Sequence, residues 1–144
     1  NWQIIIGEKK SVVTIHELTP EIDGGNIVIQ KEFELLNEYT AQDVLDKNVD
    51  VASKLLPNLI KGIEQNSLSP IKQVKLGNEY ICKLRKYEDG EILKGMSVKN
   101  IYDMARALAD PWPGVFYFDK NEKIILNNKI SMSKAEKIFK IINC

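Results

Sequence analysis

The sequence predicts an α/β chain: a pair of strands and a long helix, then an irregular stretch, then a small helix–hairpin–helix subdomain. Three observations carry this reading. β-Branched and period-two runs stand near the start, an apolar stripe at three-and-four spacing covers 40–65, and short periodic pieces bounded by proline and glycine close the chain. With 144 residues, 44% of them hydrophobic, the chain is long enough to bury a core. It fits one domain, or one domain with a small appendage.

The elements follow in order. Trp2 to Ile6 is already core-like. Val12 to Leu18, V-V-T-I-H-E-L, has the β-branched composition of a strand and follows the turn-like G-E-K-K-S. In 26–35, Ile27, Ile29, Phe33 and Leu35 fall on one side, interrupted by Lys31, and Gln30, Glu32 and Glu34 on the other. That alternation marks a strand with one solvated face. The seven residues T-P-E-I-D-G-G between them are too many for a minimal hairpin.

Over 40–65, Leu45, Val49, Ala52, Leu56, Leu59 and Ile63 recur at helical spacing. Thr40 and Asp43 form a capping box with Asp in place of the usual Glu or Gln. Pro57 predicts a kink or break near Leu56. From 67 to 95 the periodicity dissolves into a locally basic linker, with short extended pieces around 74–76 and 80–84. Ser97 caps a second helix reaching Ala109, with Val98, Ile101, Ala105 and Leu108 on one face. Asp110-Pro111 ends it. Strands at 115–118 and 123–126 flank the turn Asp119-Lys120-Asn121-Glu122. Ser133 and Glu136 read as the capping box of a last amphipathic helix.

Lys plus Arg and Asp plus Glu are 20 each, so the formal net charge is zero. A balanced chain lacks the basic excess of a dedicated nucleic-acid module. Its two cysteines, Cys82 and Cys144, have no metal-ligand spacing and make no disulfide scaffold, which favours a reducing compartment. No apolar run approaches the roughly 20 residues of a membrane helix, and no leader-like segment opens the chain. The start at Asn1, without Met and directly on core-like residues, predicts a chain cut from something longer.

Few residues could carry chemistry. The one histidine, His16, stands mid-strand, where an ordinary exposed or satisfied role is the plainer reading; no second ligand supports a metal. Asp23-Gly24-Gly25 offers two glycines that permit positive φ and close backbone approach, as a binding loop needs, though Asp-Gly is equally a common turn. Glu17, Glu21 and Asp23 gather three carboxylates, which could bind a cation or stand as a solvated acidic loop. Arg106 reads as a surface arginine on the polar side of its helix. Trp112, between two prolines, reads as a packing wedge at a subdomain junction. Lys134, Lys137 and Lys140 read as a solvated helix face.

Two segments go further. Val13-Thr14-Ile15-His16 followed by 21–30, E-I-D-G-G-N-I-V-I-Q, resembles the stretch closing the active site of 10-formyltetrahydrofolate-dependent formyltransferases. Residues 106–116, R-A-L-A-D-P-W-P-G-V-F, are similar to that family's second hallmark. Order and spacing match as well, and the resemblance runs from the start to about Phe118.

The resemblance implies the C-terminal part of a Rossmann-like formyltransferase domain over 1–66, a linker over 67–96 and a small α+β C-terminal subdomain over 97–144. It implies transfer of a formyl group from 10-formyltetrahydrofolate, as co-substrate, to an amine. The family's catalytic Asp matches Asp23. Its Asn and His belong to an N-x-H-P motif that this sequence does not contain, and His16 is not that histidine. Trp2 looks like the Trp that follows the motif. The chain is therefore expected to lack most of the folate-binding half and to be inactive alone. Substrate-binding roles at His16, Gly24 and Gly25 follow from the same resemblance.

Neutral charge and the I-D-G-G and D-P-W-P-G-V-F forms point to the sugar nucleotide N-formyltransferases, hence a cytoplasmic enzyme with a small-molecule partner, an amino sugar nucleotide, and neither membrane nor nucleic acid. Two alternatives stay open. One is the methionyl-tRNA branch. The other is a noncatalytic binding or dimerisation module of the same fold, with the Trp112 region and the apolar last helix as its interface; a homodimer is the oligomer either reading allows.

Overall fold

The computed structural model describes residues 1–74, 77 and 81–144. The order is α1 (Trp2–Ile6), β1 (Lys10–His16), β2 (Ile27–Glu34), α2 (Ala41–Glu64), a 3-10 turn (Tyr87–Gly90), α3 (Val98–Ala107), β3 (Val115–Asp119), β4 (Glu122–Leu126) and α4 (Met132–Asn143). The mixed α/β class is as the sequence predicts. The extended pieces foreseen around 74–76 and 80–84 lie partly outside the described residues; Val74 and 81–84 form no strand. No described helix is long and apolar enough to cross a membrane.

The chain divides into two compact units. Unit 1 is Asn1–Lys9, Leu35–Val44 and Cys82–Cys144; unit 2 is Lys10–Glu34 and Leu45–Ile81.

Unit 1 holds the main core. Ile101, Ala105 and Leu108 of α3 and its C-terminal edge are buried with Val115 and Tyr117 of β3 and Ala135 and Ile138 of α4, joined by Ile92 and Ile130. The helical spacing of 101, 105 and 108 puts them on one face, as foreseen, and burying Ile101 and Leu108 contributes about 1.5–3 kcal/mol each. Ser97 caps α3, its side chain accepting from the Asn100 amide. The last helix corrects the sequence reading. Ser131, not Ser133, caps α4 and accepts from the Lys134 amide, because the helix starts about half a turn earlier. Lys134, Lys137 and Lys140 are exposed, as expected. The β3–β4 hairpin pairs Asp119 with Glu122 across Lys120 and Asn121, with φ of 45° and 71°. Two consecutive positive φ values match the right-handed strand twist of tight hairpins.

Unit 2 contains the antiparallel β1–β2 ribbon. Register runs from Lys10 opposite Glu34 to Ile15 opposite Ile29, then slips so that His16 faces Ile27. Gln30, Glu32 and Glu34 are exposed and Phe33 is buried, in keeping with the alternation. Ile27 exchanges backbone hydrogen bonds with Ile71, 2.7 and 2.8 Å.

Helix α2 starts with Ala41–Val44 in unit 1 and continues in unit 2. Thr40 and Asp43 make the foreseen box: the Thr40 amide donates to the Asp43 carboxylate at 2.8 Å, and the Asp43 amide to the Thr40 hydroxyl at 3.2 Å. Of the kink or break expected near Leu56, the break does not occur. The helix runs through an exposed Pro57, at the cost of one backbone hydrogen bond.

Candidate functional site

The ten residues 17–26 join β1 to β2 in unit 2, and the site grows from that loop. Its neck is tied twice. The Glu17 amide donates to the Asn26 carbonyl at 2.9 Å, and the Asn26 side chain donates to the Glu17 carboxylate at 2.6 Å. Thr19 Oγ1 donates to the Glu21 carbonyl at 3.0 Å, and the Gly24 amide returns to the same carbonyl at 3.3 Å. Such local bonds give a strandless segment one conformation.

Asp23 sits at the crown with φ of 54°. The left-handed region is uncommon for non-glycine residues and most accessible to Asn and Asp. The sequence reading gave that freedom to Gly24 and Gly25, and the structure corrects it: neither is at positive φ. Gly25 serves close approach instead. A Cβ there would lie 1.8 Å from the Glu17 carbonyl oxygen.

The Asp23 side chain is 86% exposed, and its Oδ1 lies 3.5 Å from His16 Nε2. The register slip between Ile15 and His16 re-aims the imidazole, as bulges beside sites do. The other ring nitrogen, Nδ1, is 2.8 Å from the Glu17 carbonyl. When Nδ1 donates there, Nε2 is left as the nitrogen turned to the carboxylate, and the pair becomes ionic once the ring is protonated. The geometry therefore joins His16, Asp23, Gly24 and Gly25 in one small assembly.

Sequence reasoning missed Gln73. Its Nε2 donates to the carbonyls of Asp23, 2.8 Å, and Gly25, 2.5 Å, fixing the crown from the stretch read as linker. No local pattern around Gln73 signals this, because the two segments are 48 and 50 residues apart. Glu17, Glu21 and Asp23 do not converge: among the described residues, no group of three or more His, Cys, Asp or Glu side chains is placed to hold a metal ion.

The second motif lies in unit 1 and departs from its expectation at Arg106. That residue is buried, not on the surface. Its Nε donates to Asp103 Oδ1 at 2.9 Å and its Nη1 to the Tyr39 carbonyl at 2.6 Å. Asp103, three residues earlier on the same helix, was the available signal. A buried guanidinium needs a carboxylate, and i,i+3 supplies one. Trp112 is half-buried and lines a cleft of the same unit.

The chain is similar to known proteins. Residues 1–60 match the formyl transferase family. The chain is 33% identical over 148 aligned positions to the bifunctional polymyxin resistance protein ArnA of Wigglesworthia glossinidia brevipalpis, covering 99% of this chain and 22% of that protein. The N-formyltransferase of Helicobacter canadensis, solved with folinic acid and dTDP-3-aminofucose, superposes with a TM-score of 0.70 at 24% identity, over 85% of this chain and 45% of that one. The methionyl-tRNA formyltransferase of Clostridium thermocellum gives 0.65 at 22% identity, over 84% and 51%. The chain thus spans about half of these two solved proteins and about a fifth of ArnA.

Proposed function

We propose that the chain, whose residues 1–60 match the formyl transferase family, is part of an enzyme moving a formyl group from 10-formyltetrahydrofolate to the amine of an amino sugar nucleotide. In this reading it is the C-terminal part of a Rossmann-like catalytic domain with its α+β appendage. The observation that carries it is the Asp23 crown: an exposed carboxylate in the family-matched segment, held at φ 54° by Gln73 with His16 alongside.

The chemistry suits that carboxylate. An ammonium has no lone pair, so the acceptor must lose a proton before its nitrogen attacks the formyl carbon. A carboxylate within reach accepts that proton, or holds a basic imidazole in the useful form. The new C–N bond forms as the bond from the formyl carbon to folate nitrogen breaks. Donors that stabilise the intervening oxyanion belong to the N-x-H-P segment of the longer parent, as do the main folate contacts. This chain alone therefore contributes Asp23 and does not turn over. A net charge of zero favours the sugar acceptor over methionyl-tRNA.

The test is the parent protein with 10-formyltetrahydrofolate, a panel of UDP- and dTDP-amino sugars, and methionyl-tRNA as the competing acceptor. Asp23→Asn is expected to lower kcat by about 10²–10⁴ on the preferred sugar. Full activity in that variant would remove Asp23 from the chemistry, and faster transfer to methionyl-tRNA would replace the sugar reading.

A further inference from the structure

Residues 71–73 lie in the stretch that reads as a linker, yet they are bound into unit 2. Ile71 extends the ribbon by one antiparallel bridge to Ile27, the first residue of β2, with backbone bonds in both directions at 2.7 and 2.8 Å. Two residues on, Gln73 Nε2 donates to the Asp23 carbonyl at 2.8 Å and to the Gly25 carbonyl at 2.5 Å. Exposure along this strap runs against hydrophobicity. Ile71 and Val74 are 68% and 77% exposed, whereas Gln73 between them is half-buried. A polar side chain drawn in while its apolar neighbours stay out marks a segment placed by hydrogen bonds, not by apolar burial.

The two bonds use the whole donor capacity of the amide. Its nitrogen carries two hydrogens, and each of two carbonyl oxygens takes one. One of those carbonyls is that of Asp23 itself. The N–H at the other end of the same peptide, on Gly24, donates to the Glu21 carbonyl at 3.3 Å. The peptide after Asp23 is therefore held at both ends, by Gln73 from outside the loop and by Glu21 from within it. Fixing that planar unit fixes ψ of Asp23, beside a φ of 54°. The direction of the Cα–Cβ bond follows, and with it the place of the carboxylate 3.5 Å from His16 Nε2. A left-handed aspartate persists only where its surroundings over-determine it, and Gln73 supplies two of those restraints.

We propose that Gln73 is a positioning residue for the transfer step: it holds the peptide after Asp23, keeps the Asp23 carboxylate aimed at the acceptor amine, and acts only through Asp23. This rests on the reading above of Asp23 as the group that takes the proton, and it adds the side chain that keeps that group in line. Gln73 bonds to backbone and to no reacting atom. Its removal therefore leaves the binding of sugar and folate in place and costs alignment. A reacting group misplaced by about 1 Å loses on the order of 10²-fold in rate.

The experiment measures kcat and KM of the parent with 10-formyltetrahydrofolate and its preferred amino sugar nucleotide. The variants are Gln73→Met, Gln73→Glu and Lys72→Gln, each also made in the Asp23→Asn background. Gln73→Met is expected to lower kcat about tenfold or more, with both KM values within about twofold. Gln73→Glu has the same shape without the hydrogens and should lose at least as much, because its carboxylate faces two carbonyl oxygens. Lys72→Gln, at the exposed neighbour on the same strap, should keep its kcat. In the Asp23→Asn background Gln73→Met should change kcat by less than about twofold, since no carboxylate is left to aim. A kcat within about twofold of the unsubstituted parent in Gln73→Met or Gln73→Glu overturns the proposal, as does an equal loss with and without Asp23. A rise in KM at unchanged kcat also overturns it, since Gln73 would then serve binding. The 144-residue chain gives a readout that needs no catalysis. The one-bond Cα–Hα coupling of Asp23, which is smaller at positive φ, should rise to its ordinary range in Gln73→Met while the β1–β2 amides stay protected from exchange. An unchanged coupling overturns the proposal even where kcat falls, and loss of β1–β2 protection in both Gln73 variants would make the residue a support of the ribbon instead. Full activity of Asp23→Asn sinks the role given to Asp23, and the coupling still decides whether Gln73 sets its backbone.

Discussion

Asp103 and Arg106 face each other one helical turn apart at 2.9 Å, with about 95% of each side chain out of water. Lys99 adds a further bond to Asp103 from the partly exposed side. Arg106 also ties α3 to the Tyr39 carbonyl, just before α2. Removing Asp103 leaves the buried guanidinium without its carboxylate, at about 3–5 kcal/mol, whereas removing Arg106 leaves Asp103 still bonded to Lys99. Asp103→Asn should lower the urea midpoint of unit 1 by a large amount, and Arg106→Ala by a smaller one. Asp103→Leu/Arg106→Met should recover most of the loss, because two apolar groups need no partner. Equilibrium unfolding followed by circular dichroism reads this; near-wild-type stability in either single variant would show the pair to be dispensable.

Gly24 and Gly25 are neighbours with unequal room. An added Cβ at Gly25 meets backbone, the Glu17 carbonyl oxygen at 1.8 Å; at Gly24 it meets the Glu21 side chain at 2.8 Å, which can swing away. Gly25→Ala is therefore expected to cost about 1–3 kcal/mol locally and to open the neck of the loop. Gly24→Ala should stay within about 0.5 kcal/mol. Hydrogen exchange at the Glu17 and Ile27 amides separates the two: protection falls sharply in the first variant and little in the second.

What the sequence disclosed followed from local rules. The Thr40–Asp43 box, the Ser97 cap and the β3–β4 turn are encoded within four residues of themselves, and each stands where the pattern puts it. Features set by distant partners were illegible. Gln73 reaches Asp23 from 50 residues away. Asp23, rather than a glycine, takes the left-handed conformation because the whole loop closes around it. Arg106 is the intermediate case, since its partner was three residues away, yet its burial depends on Tyr39, 67 residues back. Only the resemblance assigns a role to Asp23; nothing in composition or spacing singles it out above a turn.

Asp43 gives a pH dependence with a definite sign. Hydrogen bonds from the Thr40 side chain and then its backbone amide hold the Asp43 carboxyl below its ordinary value. A carboxyl depressed by folding stabilises the fold above its unfolded value, near pH 4, and loses that contribution as pH falls through the lower folded value. Asp43→Asn should therefore reduce stability by about 1 kcal/mol at pH 7 and by much less near pH 2. Thr40→Ala should show the same convergence. Urea midpoints measured from pH 2 to pH 7 check it, and a pH-independent difference would mean the carboxylate charge does not matter to the cap.

The apolar stripe of α2 turns the reading of that helix into a question of context. Leu45, Val49, Leu56, Ile60 and Ile63 are 48–62% exposed, whereas Ala41, Val44 and Val51 on the same helix are buried. A helix that shows apolar side chains over several turns has surface left to cover. In the longer enzyme proposed above, the remainder of the catalytic domain is the natural cover. Val49→Glu then has opposite consequences in the two settings. In the 144-residue chain it replaces an exposed apolar group with a charge, so stability should change by no more than about 0.5 kcal/mol while dye binding and self-association fall. In the parent the same glutamate would be buried without a partner, at a cost of about 2 kcal/mol or more. Urea unfolding of both proteins, with and without the substitution, measures the difference. Equal small effects would mean that the stripe stays open to solvent in the parent too, and that its helical spacing serves something other than burial.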